Sequence, residues 1–147
     1  MKKIYFCGSI SGGREKAADY QKMMDNCKKV GVVLTEHVAD EVLEVKNGQR
    51  FYSDVPEIQT YLRDVDWIRE ADFVIADISV PSIGVGYEIG FAESIEKPIL
   101  CIYDKNSSKT ASLMITGNQN ILFKEYETVE EANKIIDEFM GIWWRSG

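Results

Sequence analysis

Histidine is nearly missing from this chain: His37 stands alone among 147 residues, beside only three prolines and three cysteines. One histidine gives a serine-type triad or a multi-histidine metal site little to build on, so no metal is expected. Cys7, Cys27 and Cys101 are odd in number, widely spaced and set in apolar surroundings. That pattern excludes a disulfide framework or a zinc site and predicts reduced thiols in a reducing, cytoplasmic compartment. There is no block of Lys or Arg and the formal charge is −7, which argues against nucleic acid or an anionic membrane as partner. An anionic ligand must then be held by local geometry. No span approaches the ~20 apolar residues of a membrane helix, and Ile4–Cys7 is too short for a signal-peptide core, so neither export nor membrane insertion is expected. The Walker A sequence is absent, as is a GxGxxG fingerprint after the first expected strand.

What is present fits an ordinary globular chain. The hydrophobic share is 45% and the charged share 28%, and the length suits one domain over residues 1–147. Residues 3–7 (KIYFC) form a short apolar run ending at Gly8, which predicts a strand followed by the loop GSISGGRE. Ala17, Tyr20, Met24, Cys27 and Val30 recur at helical spacing from Glu15 to Val30, with Gly31 as the stop. Val32–Thr35 reads as a second strand, and residues 36–55 as a long polar loop. Ile58, Leu62, Val65 and Ile68 mark a helix from Pro56 to about Ala71. The run Phe73–Ile78 predicts a third strand, SVPSIGVG a turn, and Tyr87–Glu96 a helix stopped by Pro98. Ile99–Tyr103 and Ile121–Tyr126 are further strands. Ala111–Ile115 has the length of one helical turn, and Thr128 with Glu131 forms a capping box opening a helix striped by Val129, Ala132, Ile136 and Phe139. Strands and helices thus alternate along the whole chain. The expectation is a doubly wound five-stranded parallel sheet covered by helices on both faces, with ligands at the carboxyl ends of its strands.

Several polar residues fall at that ligand end. The glycine-bearing turns GSISGG and PSIGVG follow strands, where backbone N–H groups and helix N-termini favour phosphate. Glu88 follows the Gly84-x-Gly86 pair and is expected in the first turn of a helix, a place where the dipole also favours a plain surface glutamate. Glu36 and His37 close the second strand. Asp64 shares a helical face with Tyr61, Trp67 and Ile68, so partial burial there would raise its pKa.

These residues carry a resemblance. YFCGSISGGRE (Tyr5–Glu15), LTEHV (Leu34–Val38), DVDWIREAD (Asp64–Asp72), PSIGVGYEIG (Pro81–Gly90) and SLMITG (Ser112–Gly117) resemble, in order and spacing, the 2'-deoxynucleoside 5'-phosphate N-hydrolases. That group is a branch of the nucleoside 2-deoxyribosyltransferase superfamily, with a Rossmann-like, flavodoxin-like fold. The resemblance implies that Glu88 is the nucleophile attacking the anomeric carbon, that Tyr5 orients it, and that Asp64 assists departure of the base as acid or by hydrogen bonding. It implies that Ser9, Ser82 and Ser112 hold the 5'-phosphate with backbone of the Gly8–Gly13 loop, Gly8 and Gly12 included. Ser112 would come from the neighbouring subunit of a homodimer. His37 would border the base pocket, near Ile10, Gly84 and Met114. No cofactor is implied.

The chemistry calls for such a set. Cleaving an N-glycosidic bond places positive charge on the sugar and negative charge on the base, and retaining glycosidases meet the related problem with two carboxyls ~5–5.5 Å apart. Transferases of the superfamily usually carry an acid six positions before the nucleophile, for the sugar 5'-hydroxyl. Ser82 stands there in this chain and can donate to a phosphate that a carboxylate would repel, so the expected substrate is a deoxynucleoside monophosphate. A departure is Ser11, where better known members carry arginine in SIRGGRE, a change that bears on phosphate affinity or base preference. Base exchange by the same intermediate, hydrolysis of ribonucleotides and a non-catalytic nucleotide-binding module are the alternatives.

Overall fold

The computed structural model describes residues 1–9, 16–36 and 56–146, with side chains up to residue 142. Five strands, β1 (Lys2–Cys7), β2 (Gly31–Val33), β3 (Phe73–Asp77), β4 (Ile99–Asp104) and β5 (Leu122–Tyr126), form one all-parallel sheet in the order β2-β1-β3-β4-β5. That order has its switch point between β1 and β3, where the chain winds first to one side and then to the other. The helices are α1 (Ala17–Lys28), α2 (Pro56–Glu70), α3 (Ile83–Ser94), the single turn α4 (Leu113–Thr116) and α5 (Val129–Ser146).

Period-two alternation divides the core between the two faces. Ile4, Phe6, Phe73, Ile75, Leu100 and Ile102 point to the side covered by α1 and α5, meeting Tyr20, Met23, Cys27, Ile136 and Phe139. Tyr5, Cys7, Val74, Ala76, Ile99 and Cys101 point to the side of α2 and α3, meeting Ile68, Val85, Ile89 and Ala92. Because both faces are buried, the central strands read as continuous apolar runs.

Several boundaries differ from expectation, each for a physical reason. Gly31 does not merely end α1 but opens β2, where a Cβ would stand 2.5 Å from the Lys2 carbonyl oxygen. The strand stops at Val33, yet its hydrogen bonding continues. Leu34 N donates to Ile4 O (2.9 Å), and the Thr35 hydroxyl both accepts from Phe6 N (3.1 Å) and donates to Phe6 O (2.6 Å), replacing backbone with side chain. On α1 the buried stripe is Tyr20, Met23, Asn26 and Cys27, with Ala17 and Val30 exposed. On α2 it is Gln59, Arg63, Val65 and Ile68, which leaves Ile58 and Leu62 facing outward.

The largest difference is α3, which begins at Ile83, four residues before the expected Tyr87. Ser82 caps it, accepting from Val85 N at 3.3 Å, and burial of Val85, Ile89 and Ala92 outweighs the poor helix propensity of the glycines. Its far end is a Schellman motif, with Lys97 N on Ala92 O and Glu96 N on Glu93 O, both at 3.0 Å. Glu96 takes the left-handed position there at φ 62°. Thr128 caps α5 by accepting from Glu131 N (3.2 Å), while the Glu131 carboxylate accepts from Glu127 N (2.8 Å) rather than from Thr128 itself. The expected loop over residues 36–55 lies, apart from Glu36, outside the described residues. Among the described residues no helix is long and apolar enough to cross a membrane.

Candidate active site

Tyr5, on the α2/α3 side of β1, is 1% exposed. Its hydroxyl donates to the Glu88 carboxylate from 83 residues away in sequence. The longer α3 places Glu88 in its second turn rather than the expected first, so the helix dipole is not what this carboxylate answers to. Glu88 answers instead to burial, which pushes its pKa up to about 7. The Tyr5 hydrogen bond opposes that rise, the charge of Asp64 adds to it, and the charge of Arg63 opposes it. Burial, and next the Glu88 charge, hold Tyr5 far above an ordinary phenol, so it remains a donor at every working pH.

Asp64 reaches the same place from α2. Burial raises its pKa, while the neighbouring Arg63 charge and hydrogen bond pull the other way. Both the Nε and the Nη2 of Arg63 lie 3.0 Å from Asp64 Oδ1. Arg63 is the residue that sequence reasoning missed. The available signal was its i+4 relation to Gln59, which places two polar residues on one stripe of a half-apolar helix.

Gly84 lies one turn before Glu88, and a Cβ there would stand 3.9 Å from both Glu88 Oε1 and Ser82 Oγ. Ser82, Gly84 and Glu88 therefore border one space. Gly8 ends β1 against the ring of Tyr20, where a Cβ would meet Cε2 at 2.8 Å, and Ser9 beside it is buried. Ile10, Gly12 and His37 fall outside the described residues. Ser112 caps α4, accepting from Met114 N at 3.2 Å. With Ser82 and Met114 it lines a cavity of about 440 Å³ that also includes Val85, Gly86 and Ile89. Ser112 and Ser82 thus line one cavity, and Gly84 and Glu88 are not among its walls. A wider groove of about 630 Å³ between α1 and α5 holds a single acid, Asp137, which accepts from Asn26 Nδ2 at 2.8 Å. It is remote from Tyr5 and Glu88.

A second network, also unforeseen, fixes the turn that carries Ser82. Asp77, fully buried at the end of β3, accepts from Ser79 N (2.9 Å) and from the Tyr126 hydroxyl. Ser79 Oγ accepts from Asp104 N (2.8 Å), and Ser107 Oγ donates to Ser79 O (2.7 Å). Lys16 Nζ pairs with Asp104 at 2.6 Å, tying the start of α1 to the end of β4.

The flavodoxin-like strand order, with a tyrosine-bound glutamate of raised pKa and a second acid beside the switch point, defines an α/β domain with a cluster of acids at the place where such sheets take their ligands. The nucleoside 2-deoxyribosyltransferase family model matches residues 4–139, and the chain belongs to that family. It is 38% identical over 145 residues to the 5-hydroxymethyl-dUMP N-hydrolase of Tetraodon nigroviridis, covering 93% of this chain and 96% of that one. To the protein of that name from Danio rerio it is 39% identical over 142 residues, covering 92% and 94%. Among solved structures, Clostridium botulinum CMP N-glycosidase, BcmB, superposes with a TM-score of 0.64 at 20% identity, over 93% of this chain and 99% of that one. That likeness speaks for the fold.

Proposed function

We propose that this chain hydrolyses the N-glycosidic bond of 2'-deoxynucleoside 5'-monophosphates, releasing the free base and 2-deoxyribose 5-phosphate through an ester on Glu88. The observation that carries the reading is the Tyr5 hydroxyl on a Glu88 carboxylate poised near neutrality, with Asp64 at its side. Glu88, when ionised, attacks C1' as the C1'–N bond breaks and its electron pair leaves with the base. Asp64 meets the departing base, as proton donor or hydrogen-bond partner. Water then attacks C1', the ester C–O bond breaks, and the Glu88 carboxylate returns. Tyr5 holds that carboxylate in one orientation through both steps. The near full-length relatives are named for 5-hydroxymethyl-dUMP, which makes that nucleotide the first substrate to test.

Phosphate binding falls to Ser82, Ser9, Gly8 and Gly12, with Ile10, His37, Gly84 and Met114 around the base. The working unit is a homodimer. Tyr61 and Tyr87 meet edge to face at 6.2 Å on the surface, and Ile83 (96% exposed), Leu113 (83%) and Met114 (82%) are large apolar side chains also left open to solvent. Exposed apolar side chains of this kind mark a protein contact surface, which supports a dimer in which Ser112 of one chain completes the Glu88 site of the other. The three unpaired, buried thiols suit a cytoplasmic setting.

The test is incubation with deoxy- and ribonucleoside monophosphates and the matching nucleosides, with free base followed by chromatography and Glu88 inspected by mass spectrometry in quenched samples. Base release from deoxynucleotides with a deoxyribosyl phosphate adduct on Glu88 is the expected result. A new nucleoside appearing when a second base is added would make the chain a transferase instead. For the dimer, Glu88→Gln and Ser112→Asp proteins, each inactive, are mixed. Mixed dimers regain one intact site, and about a quarter of wild-type activity should return.

A further inference from the structure

The stretch from Thr110 to Asn120 carries Ser112 and contains no buried residue. Its one helical turn, α4, is too short to hold itself in place, and Leu113 and Met114 on it are exposed. Only the half-buried Ile115 rests on the core beneath α2 and α3. The stretch is nonetheless stiff within itself. Ser112 O accepts from Ile115 N and Thr116 N (both 3.0 Å), Leu113 O from Gly117 N (2.9 Å) and Ile115 O from Asn118 N (3.1 Å). Its far end is fastened: Asn118 Nδ2 and Asn120 Nδ2 both donate to Glu93 Oε2, at 2.7 and 3.0 Å. Asn118 Oδ1 accepts from Asn120 N (2.9 Å), which fixes the way that amide faces. Among the described residues, the two bonds to Glu93 are the side-chain hydrogen bonds that leave the stretch for another element. The near end is held through Lys109, whose carbonyl oxygen accepts from the Tyr103 hydroxyl of β4.

Glu93 stands in the last turn of α3, and Ser82 caps the other end of the same helix. The stretch runs alongside α3 in the same direction. Ser112 shares a cavity with Ser82, Ile115 shares it with Ile89, and Asn118 meets Glu93. We propose that Glu93 is a positioning residue for phosphate recognition: it fastens Asn118 and Asn120 to α3 and so sets Ser112 at a fixed place relative to Ser82. The inference rests on the phosphate role given above to Ser112. The tie lies within one chain, so it places Ser112 whichever site of a dimer that hydroxyl completes. The amides of Asn120 and Asn118 hold the Glu93 carboxyl below its ordinary range, so it remains a charged acceptor at every working pH. The rival reading is a tie that merely steadies the entry to β5. The two differ in what is lost with the carboxylate, phosphate affinity in the first and global stability in the second.

The experiment compares wild type, Glu93→Ala, Glu93→Gln, Ser112→Ala and the Glu93→Ala/Ser112→Ala double variant, with 5-hydroxymethyl-dUMP as substrate. Glu93→Ala should raise KM about tenfold, the order of one hydrogen bond to a charged acceptor, and leave kcat within about twofold. Glu93→Gln keeps an oxygen that both amides can reach and should stay within about threefold of wild type. In the Ser112→Ala background the loss of Glu93 should add less than about twofold, because residues acting through one contact are not additive. Tm of Glu93→Ala should move by less than about 2 °C, since a stretch without buried residues opens locally. Amide hydrogen exchange at Thr116 and Gly117 needs no turnover and should quicken in Glu93→Ala but not in Glu93→Gln. An unmoved KM in Glu93→Ala beside a raised one in Ser112→Ala, equal losses in the alanine and glutamine variants, additive effects or unmoved exchange would each overturn the proposal. An unmoved KM in Ser112→Ala would overturn the phosphate role of Ser112, and the proposal with it. If wild type releases no base from any nucleotide, the hydrolase reading fails. Calorimetric Kd values for the same nucleotide on the same proteins then take the place of KM, and the same outcomes decide the role of Glu93.

Discussion

Replacing the half-buried Glu88 by its neutral isostere should make the protein more stable as it becomes inactive. In Glu88→Gln the amide oxygen can still accept from Tyr5, and the shape is kept, so the difference is the charge. Folding raises the Glu88 pKa from 4.5 to about 7. At about 1.4 kcal/mol per pH unit this corresponds to about 3 kcal/mol. The sign follows from the direction. A carboxyl whose folded pKa is raised favours folding fully below 4.5, and the advantage is lost as pH rises through about 7. Above that the native state holds a charge it would rather not hold. The glutamine variant should therefore match wild type near pH 4 and exceed it by about 3 kcal/mol at pH 8.5, a rise of roughly 10 °C in Tm for a chain of this size. Urea unfolding at both pH values, at one fixed protein concentration because association shifts apparent stability, measures this directly. A difference that does not change with pH, or a variant weaker than wild type at pH 8.5, would refute the claim that burial governs Glu88.

Tyr5→Phe removes the hydrogen bond that favours the carboxylate, worth about 1.5–3 kcal/mol for a charged acceptor; the acid limb of kcat/KM should move up by about one to two pH units, read from a pH profile. Ser82→Asp keeps a good helix cap but sets a negative charge against the phosphate, so KM for monophosphates should rise at least about tenfold while that for nucleosides moves less. Gly8→Ala drives a Cβ into the Tyr20 ring and should cost about 1–3 kcal/mol in urea unfolding, with KM raised as the following loop shifts. Glu96→Gly relieves the left-handed residue of the Schellman motif and should stabilise by about 1 kcal/mol, seen as a higher Tm with activity unchanged.

The strands were legible because a sheet buried on both faces writes itself as unbroken apolar runs, and Phe73–Asp77 and Ile99–Asp104 fall within a residue of their expected limits. Helix α2 was legible in extent and wrong in phase. Ile58 and Leu62 have helical spacing, yet they face outward with Tyr61, whereas Gln59 and Arg63 are buried. Periodicity shows that a stripe exists but cannot say whether an apolar stripe faces this chain's core or another surface. The early start of α3 was hidden because Gly84 and Gly86 look like a turn, and only tertiary burial of Val85 and Ile89 makes them helical. Tyr5, Asp64 and Glu88 do converge. They lie on three separate elements, so no local spacing could have joined them, and the family resemblance carried that part. Arg63 and the Asp77–Tyr126 pair carry no motif, and long-range contact alone reveals them.

The three thiols have a use beyond packing. Cys27 lies in the layer under α1 and α5, while Cys7 and Cys101 lie in the layer under α2 and α3. Burial pushes the Cys27 and Cys101 thiols up to about 12 and raises the Cys7 thiol well above its ordinary value, so an alkylating reagent finds almost no thiolate until a layer lifts away. Labelling rates at the three positions then time the opening of each layer separately. A nucleotide seated over Tyr5 and Glu88 should slow modification of Cys7, two residues along the same strand, and leave Cys27 nearly unchanged. The molecule thus carries an unmodified pair of clocks, one for each side of its sheet.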